Sequence, residues 1–131
     1  MKYIYPAVFT PDGDGFLVDF PDLPECYTDG NDMAEAFDNA EDALSLYLWD
    51  LDKNSLPIPP PSKPADLKAD TGTIALIKAD TLPVWKLNDK RSIRKNITIP
   101  GWMDAIVQQH NGNFSQLLQN AICKEYGIEM A

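Results

Sequence analysis

Histidine and cysteine are scarce in this chain of 131 residues: one His (His110) and two Cys (Cys26 and Cys123). A single imidazole leaves no multi-histidine metal site and little for a histidine-dependent catalytic triad. Two cysteines far apart in sequence form neither a disulfide framework nor a metal-ligand spacing. Both are read as reduced thiols, with Cys123 packed within an apolar helical face. No apolar run reaches the roughly 18 residues that a membrane-spanning helix needs. The opening Met1-Lys2-Tyr3-Ile4-Tyr5-Pro6 lacks the apolar stretch of a signal peptide and enters a strand pattern at once, so the chain is expected in the cytoplasm. No cofactor and no metal are expected.

Positive charge is scarce too, but unevenly so. Residues 1–80 hold 5 Lys/Arg against 16 Asp/Glu, a net of -11, whereas residues 81–131 hold 6 against 4, a net of +2. Lys86, Lys90, Arg91, Arg94 and Lys95 crowd into one short stretch. An acidic part repels nucleic acid and attracts a basic protein, while a basic stretch suits phosphate. Two partners of opposite charge are the reading this asymmetry favours.

What is present is a clear run of elements. Tyr3 to Phe9 has strand composition, with Pro6 marking an edge position or a bulge. Thr10-Pro11-Asp12-Gly13-Asp14-Gly15 is turn chemistry, and Phe16 to Phe20 is the returning strand of a hairpin. Pro21 to Pro24 turns the chain, Cys26-Tyr27-Thr28 is a short third strand, and Asp29-Gly30-Asn31 turns it again. Asp32 and Glu35 have the spacing of a capping box. Met33, Ala36, Phe37, Ala40, Leu44, Tyr47, Leu48 and Leu51 then recur at three and four, one apolar face of a helix. Glu35, Asp38, Glu41, Asp42 and Ser45 lie away from it. Pro57 to Pro64 reads as a stiff extended connector. Thr73 to Ala79 returns to strand composition and is expected to rejoin the sheet. Residues 81–92, with Pro83 and Asn88-Asp89 as breakers, read as a linker.

The tail, residues 93–131, has a different pattern. Arg94, Asn96 and Thr98 alternate with Lys95, Ile97 and Ile99, so the polar three share one face of an extended segment. Pro100 ends it and suits a helix start. Met103, Ile106 and Val107 give a first short helix, broken at His110-Asn111-Gly112. Asn113 and Gln116 cap a second, whose face is Phe114, Leu117, Leu118, Ala121, Ile122 and Tyr126, stopped by Gly127. This is the order of a ribbon-helix-helix unit. So short a tail cannot bury a stable core alone, so an obligate homodimer is expected through it, with a higher oligomer left open. A ribbon paired from two copies fits a major groove, where Arg and Asn read guanine and adenine edges. Arg94, Asn96 and Thr98 are the expected base-reading residues. Lys95 adds a backbone contact, and the second helix start near Asn113 and Ser115 anchors a phosphate.

Several short motifs taken together resemble the HicB antitoxin family. They are Tyr5-Pro6-Ala7-Val8-Phe9, Phe20-Pro21-Asp22-Leu23-Pro24, Cys26, Thr28-Asp29-Gly30, Glu35-Ala36, Asn39 to Leu44 and Pro57-Ile58-Pro59, in register over most of residues 3–62. The tail is similar to the ribbon-helix-helix tail that many HicB proteins carry. The resemblance implies an α+β chain: an N-terminal truncated ribonuclease H-like module (hairpin, short strand, helix, strand; residues 1–80) and a C-terminal ribbon-helix-helix domain (93–131). It implies neutralisation of a small basic messenger-RNA-cleaving toxin, HicA, and repression of the pair's own promoter. Asp22, Glu25, Asp29, Glu35 and Asp38 are the expected toxin contacts. At Glu25 the chain departs from the family's pattern, which has glycine before the cysteine. A glycine there points to a backbone conformation that glutamate adopts reluctantly.

Two other readings compete. One is a protein-interaction or dimerisation module whose tail does not touch DNA. The other is a metal-dependent nuclease built on Asp12, Asp14, Asp19 and Asp22. Against the second, Asp12-Gly13-Asp14-Gly15 is what a hairpin turn wants, and Asp19 is the polar partner in an alternating strand. A calcium loop is discarded because Phe16 stands where a further ligand is required.

Overall fold

The computed structural model describes residues 1–129. The chain divides into two compact units, Met1–Arg91 and Ser92–Ala131. In the first, β1 (Lys2–Asp12), β2 (Gly15–Asp19), β3 (Tyr27–Gly30) and β4 (Thr73–Asp80) form an antiparallel sheet of order β3-β2-β1-β4. The helix α1 (Met33–Lys53) packs on one face of it. The element order is the hairpin, strand, helix and returning strand that the sequence pattern gives.

Strand alternation decides which side chains meet the helix. Tyr5, Ala7 and Phe9 of β1, Val18 of β2, and Ile77 and Ala79 of β4 are buried with Ala36, Ala40, Leu44 and Leu48 of α1. The α1 face is thus narrower than its periodicity implies: Met33 and Phe37 stay exposed, although Phe37 stacks on Phe9 with ring centroids 4.6 Å apart. Small residues at Ala36 and Ala40 bring the helix close to the sheet. Gly30 completes that approach, because a Cβ there would lie 2.3 Å from the Ala36 backbone nitrogen.

The hairpin turn has Gly13 at φ 60, the positive value its first central position requires. Pro6 lies opposite Leu76 of β4, while pairing with β2 begins only at Val8. The missing N–H therefore falls where β1 has a strand on one side alone, the local edge position that proline needs. At the start of α1, Asp32 accepts from the Glu35 backbone N–H at 2.8 Å. Only half of the capping box forms, since the Glu35 carboxylate accepts from Asn31 instead.

The segment read as a linker contains a helix, α2 (Leu82–Asn88). Pro83 sits in its first turn, where a fixed φ and a missing N–H cost nothing, so the residue taken as a breaker is a start signal. Thr81 is fully buried and its backbone N–H donates to the Met1 carbonyl. Trp85 then meets Trp49 of α1 edge to face, with centroids 6.2 Å apart. Both indole N–H groups are buried without a hydrogen-bond partner.

In the second unit, α3 (Gly101–Gln109) and α4 (Phe114–Glu125) follow an irregular segment. The ribbon strand read over residues 93–99 does not form in the single chain: these residues carry no regular secondary structure. A strand is held by ladder bonds to a neighbour, and one copy of this segment supplies none. Asn113 caps α4, its side chain accepting from the Gln116 N–H at 3.1 Å. The Gln116 amide bonds forward to Asn120, so this box too is half formed.

Candidate functional site

The first unit carries 8 Lys/Arg against 17 Asp/Glu, and the second 3 against 3. Three of the five clustered basic residues, Lys86, Lys90 and Arg91, thus belong to the acidic unit. The Arg91 guanidinium pairs with Asp89 through two bonds of 2.9 Å. These bonds hold the Asp89 carboxyl down at about 2. Arg94 and Lys95 remain with the second unit.

Of the acidic residues expected to meet a partner, Glu25, Asp29, Glu35 and Asp38 are exposed. Asp29 lies in the edge strand β3 beside Tyr27, and its carbonyl accepts from Asn39. Asp38 stands on the outer face of α1. Asp22 is engaged within the fold, where its carboxylate accepts from both the backbone N–H (2.9 Å) and the hydroxyl of Ser62. The Tyr5 hydroxyl donates to the Pro59 carbonyl. Together they pin the proline-rich connector to the sheet, with Ile58 packed against the core. Sequence reasoning missed this tie, which joins residues 40 apart.

The turn from Phe20 to Cys26 closes on itself. Phe20 N–H donates to the Cys26 carbonyl, Leu23 N–H to Phe20, and Cys26 N–H to Leu23. Glu25 holds φ 67 in this turn, the left-handed conformation that the family's glycine foreshadowed. Cys26 is buried, and that burial pushes its thiol from 9.0 up to about 11. It is a protonated packing group at neutral pH. Beside it Tyr47 donates to the Pro24 carbonyl at 2.6 Å.

Glu25, Tyr27, Leu46, Tyr47, Trp49 and Asp50 line a groove of about 440 Å³ between β3 and α1. Asp12, Asp14 and Asp29 line a smaller depression at the hairpin tip. Among the described residues, no group of three or more His, Cys, Asp or Glu is arranged to hold a metal ion. No described helix is long and apolar enough to cross a membrane.

In the second unit Arg94, Lys95, Asn96, Thr98, Asn113 and Ser115 are all exposed. Arg94, Lys95 and Ser115 line one cavity of about 470 Å³ with Leu118 and Ile122. The start of α4 is therefore beside the irregular segment. None of the described residues of this unit is buried. Ile97, Trp102, Ile106, Leu117, Ile122 and Tyr126 all stay open, Trp102 by 63%.

Residues 5–122 match the family model described as the HicB-like antitoxin of bacterial toxin-antitoxin systems. The chain is similar to the antitoxin HicB of Escherichia coli K12, at 41% identity over 61 residues, 44% of each chain. It is also similar to an uncharacterised protein of Haemophilus phage HP1, at 36% over 45 residues, 34% of each. The chain thus spans less than half the length of these curated relatives. Among solved structures, a toxin-antitoxin complex from Streptococcus pneumoniae aligns with TM-score 0.61 and 26% identity, covering 95% of this chain and 99% of that one. A HicA3 and HicB3 toxin-antitoxin complex aligns with TM-score 0.52 and 29% identity, over 60% and 99%. With the family pattern spanning both units, the chain belongs to the HicB-like antitoxin family.

Proposed function

We propose that this chain is a non-enzymatic antitoxin and autorepressor, with the two roles carried by its two units. The first unit, read as a truncated ribonuclease H-like module, binds and silences a small basic HicA-like toxin. Its excess of carboxylates and its closed core support that reading, since an acidic rigid surface both steers and orients a basic partner. Glu25, Asp29, Glu35 and Asp38 are its contacts. Asp22 acts behind them by fixing the connector.

The second unit pairs with its copy as a ribbon-helix-helix dimer and binds operator DNA. The observation that carries this is the tail's surface: no described residue of it is buried, although its apolar residues recur at helical spacing. Burying such side chains contributes about 1.5–3 kcal/mol each, which a second copy supplies. The segment around Arg94, Asn96 and Thr98 then gains its ladder partner and enters a major groove. Lys95 and the α4 start near Asn113 and Ser115 hold phosphates.

Co-expression tests the antitoxin role, because the chain should restore growth to cells making the toxin of its own operon. A gel shift on its own promoter tests the repressor role, with a shifted band expected. Growth arrest unrelieved by the chain would sink the first, and an unshifted promoter the second.

A further inference from the structure

The groove between β3 and α1 has the chemistry of a receptor for one cationic side chain with an apolar stem. Leu46 and Tyr27 border it and are 55% and 69% exposed. Tyr47 and Trp49 add aromatic surface, and Glu25 and Asp50 supply carboxylates. No Lys or Arg lines it. Lys53 rides over the Trp49 ring at 4.7 Å, but it lines the neighbouring cavity with Trp85.

The negative field converges on one spot. Burial raises the Tyr47 hydroxyl above its ordinary value, and the nearby Glu25 and Asp50 carboxylates raise it further. The Tyr47 hydroxyl ionises only to an anion, which would add to that field, so it stays protonated and donates to the Pro24 carbonyl. An arriving cation relieves the field. The floor beneath is rigid: Cys26 is buried, its Sγ lies 3.9 Å from the Ala43 carbonyl, and the turn is closed by three backbone bonds. Glu25 is set on this turn at φ 67, a conformation costly for a non-glycine residue. The turn thus fixes the backbone from which the Glu25 side chain leaves at the rim of the groove.

We propose that this groove receives one arginine side chain of a basic protein partner, its stem on Leu46 and Tyr47 and its guanidinium held by Glu25 and Asp50. Arginine fits better than lysine. Its planar head stacks on aromatic faces and bonds carboxylates through a fork, whereas an ammonium is a more strongly hydrated point charge. The unit's 8 Lys/Arg against 17 Asp/Glu supply the charge complementarity. Naming the partner as the toxin rests on the function proposed above; the groove's chemistry does not.

The test uses the full chain and an acetylated, amidated Gly-Arg-Gly peptide, followed by the NMR signals of the Tyr47 ring and the Trp49 indole. Saturable shifts of both are expected, with norleucine and lysine peptides weaker. The isosteric pair Glu25→Gln and Asp50→Asn should weaken arginine binding roughly tenfold or more while the rest of the spectrum stays native. Equal binding of arginine and norleucine peptides, or arginine binding unchanged in the double variant, would overturn the proposal. A toxin-rescue assay in parallel separates the two ideas. If the peptide seats but the chain fails to silence the toxin, the groove stands and the antitoxin reading falls. If the chain silences the toxin but the peptide never seats, the groove falls alone.

Discussion

The two units spend their apolar residues in opposite ways. In Met1–Arg91, the alternation of β1 and the spacing of α1 meet each other, and Tyr5, Phe9, Leu44, Leu48 and Ile77 vanish from the surface. In Ser92–Ala131, α3 and α4 have apolar faces of the same kind, yet none of their residues is buried. One sequence pattern thus gives a finished core in one place and an unfinished one in the other. An amphipathic helix specifies that something must cover it, and only the rest of the fold says whether the cover is in the same chain.

The comparison breaks most sharply in the core. Leu44→Ala should cost the first unit about 2–5 kcal/mol, read by urea unfolding followed at Trp49. Leu117→Ala in the tail should leave that transition alone and instead raise the protein concentration needed for dimers in sedimentation. Equal effects of both on a single unfolding transition would show that the units are not independent. Next in size is Arg94→Ala. Losing one good bidentate base contact costs about 1–3 kcal/mol. With two copies in a dimer, operator binding should fall by roughly an order of magnitude or more, while toxin rescue is unchanged.

Much of the element order was legible in the residues. The hairpin, α1 and its Asp32 cap, the return of β4 and both tail helices follow from spacing and turn chemistry. The helix α2 was not, because Pro83 and Asn88-Asp89 carry the same letters whether they break a helix or begin and end one. What decides is Trp85 meeting Trp49, a pairing across the fold that no local pattern records. The Asp22–Ser62 tie escaped for the same reason: an aspartate read as a partner contact also holds the connector. The strand read over residues 93–99 carries no regular secondary structure in the chain, because alternation marks an extended segment and not the neighbour that would pair with it. The left-handed backbone at Glu25 was legible solely through the glycine of the resembling family.

Glu25→Gly sharpens that last point. Relief of the positive φ should stabilise the first unit by up to about 1 kcal/mol, partly offset by the freer unfolded chain. The same change should weaken arginine-peptide binding by removing a carboxylate. A stability unchanged or lowered would mean the turn is shaped for a side chain.

The smallest effect is in pH. Burial first, then neighbouring charges, raises Tyr3, Tyr5 and Tyr47 above 10.0, and burial alone carries Cys26 from 9.0 to about 11. The folded state therefore binds these protons more tightly than the unfolded one. Their stabilisation is fully present below the unfolded values and is lost as pH rises through the folded ones. The urea midpoint of the first unit should hold level up to the ordinary thiol range and fall as pH climbs toward about 11. A midpoint that rises over that interval would contradict the burial argument.

The division of labour itself is tested most directly by a gel shift on the chain's own promoter with Arg94, Asn96 and Thr98 all changed to alanine, in a variant shown by sedimentation to remain dimeric. The account predicts that the shifted band is lost while the same variant still rescues cells from the toxin. Promoter binding as tight as that of the unaltered chain would contradict it and leave the tail as a dimerisation device alone.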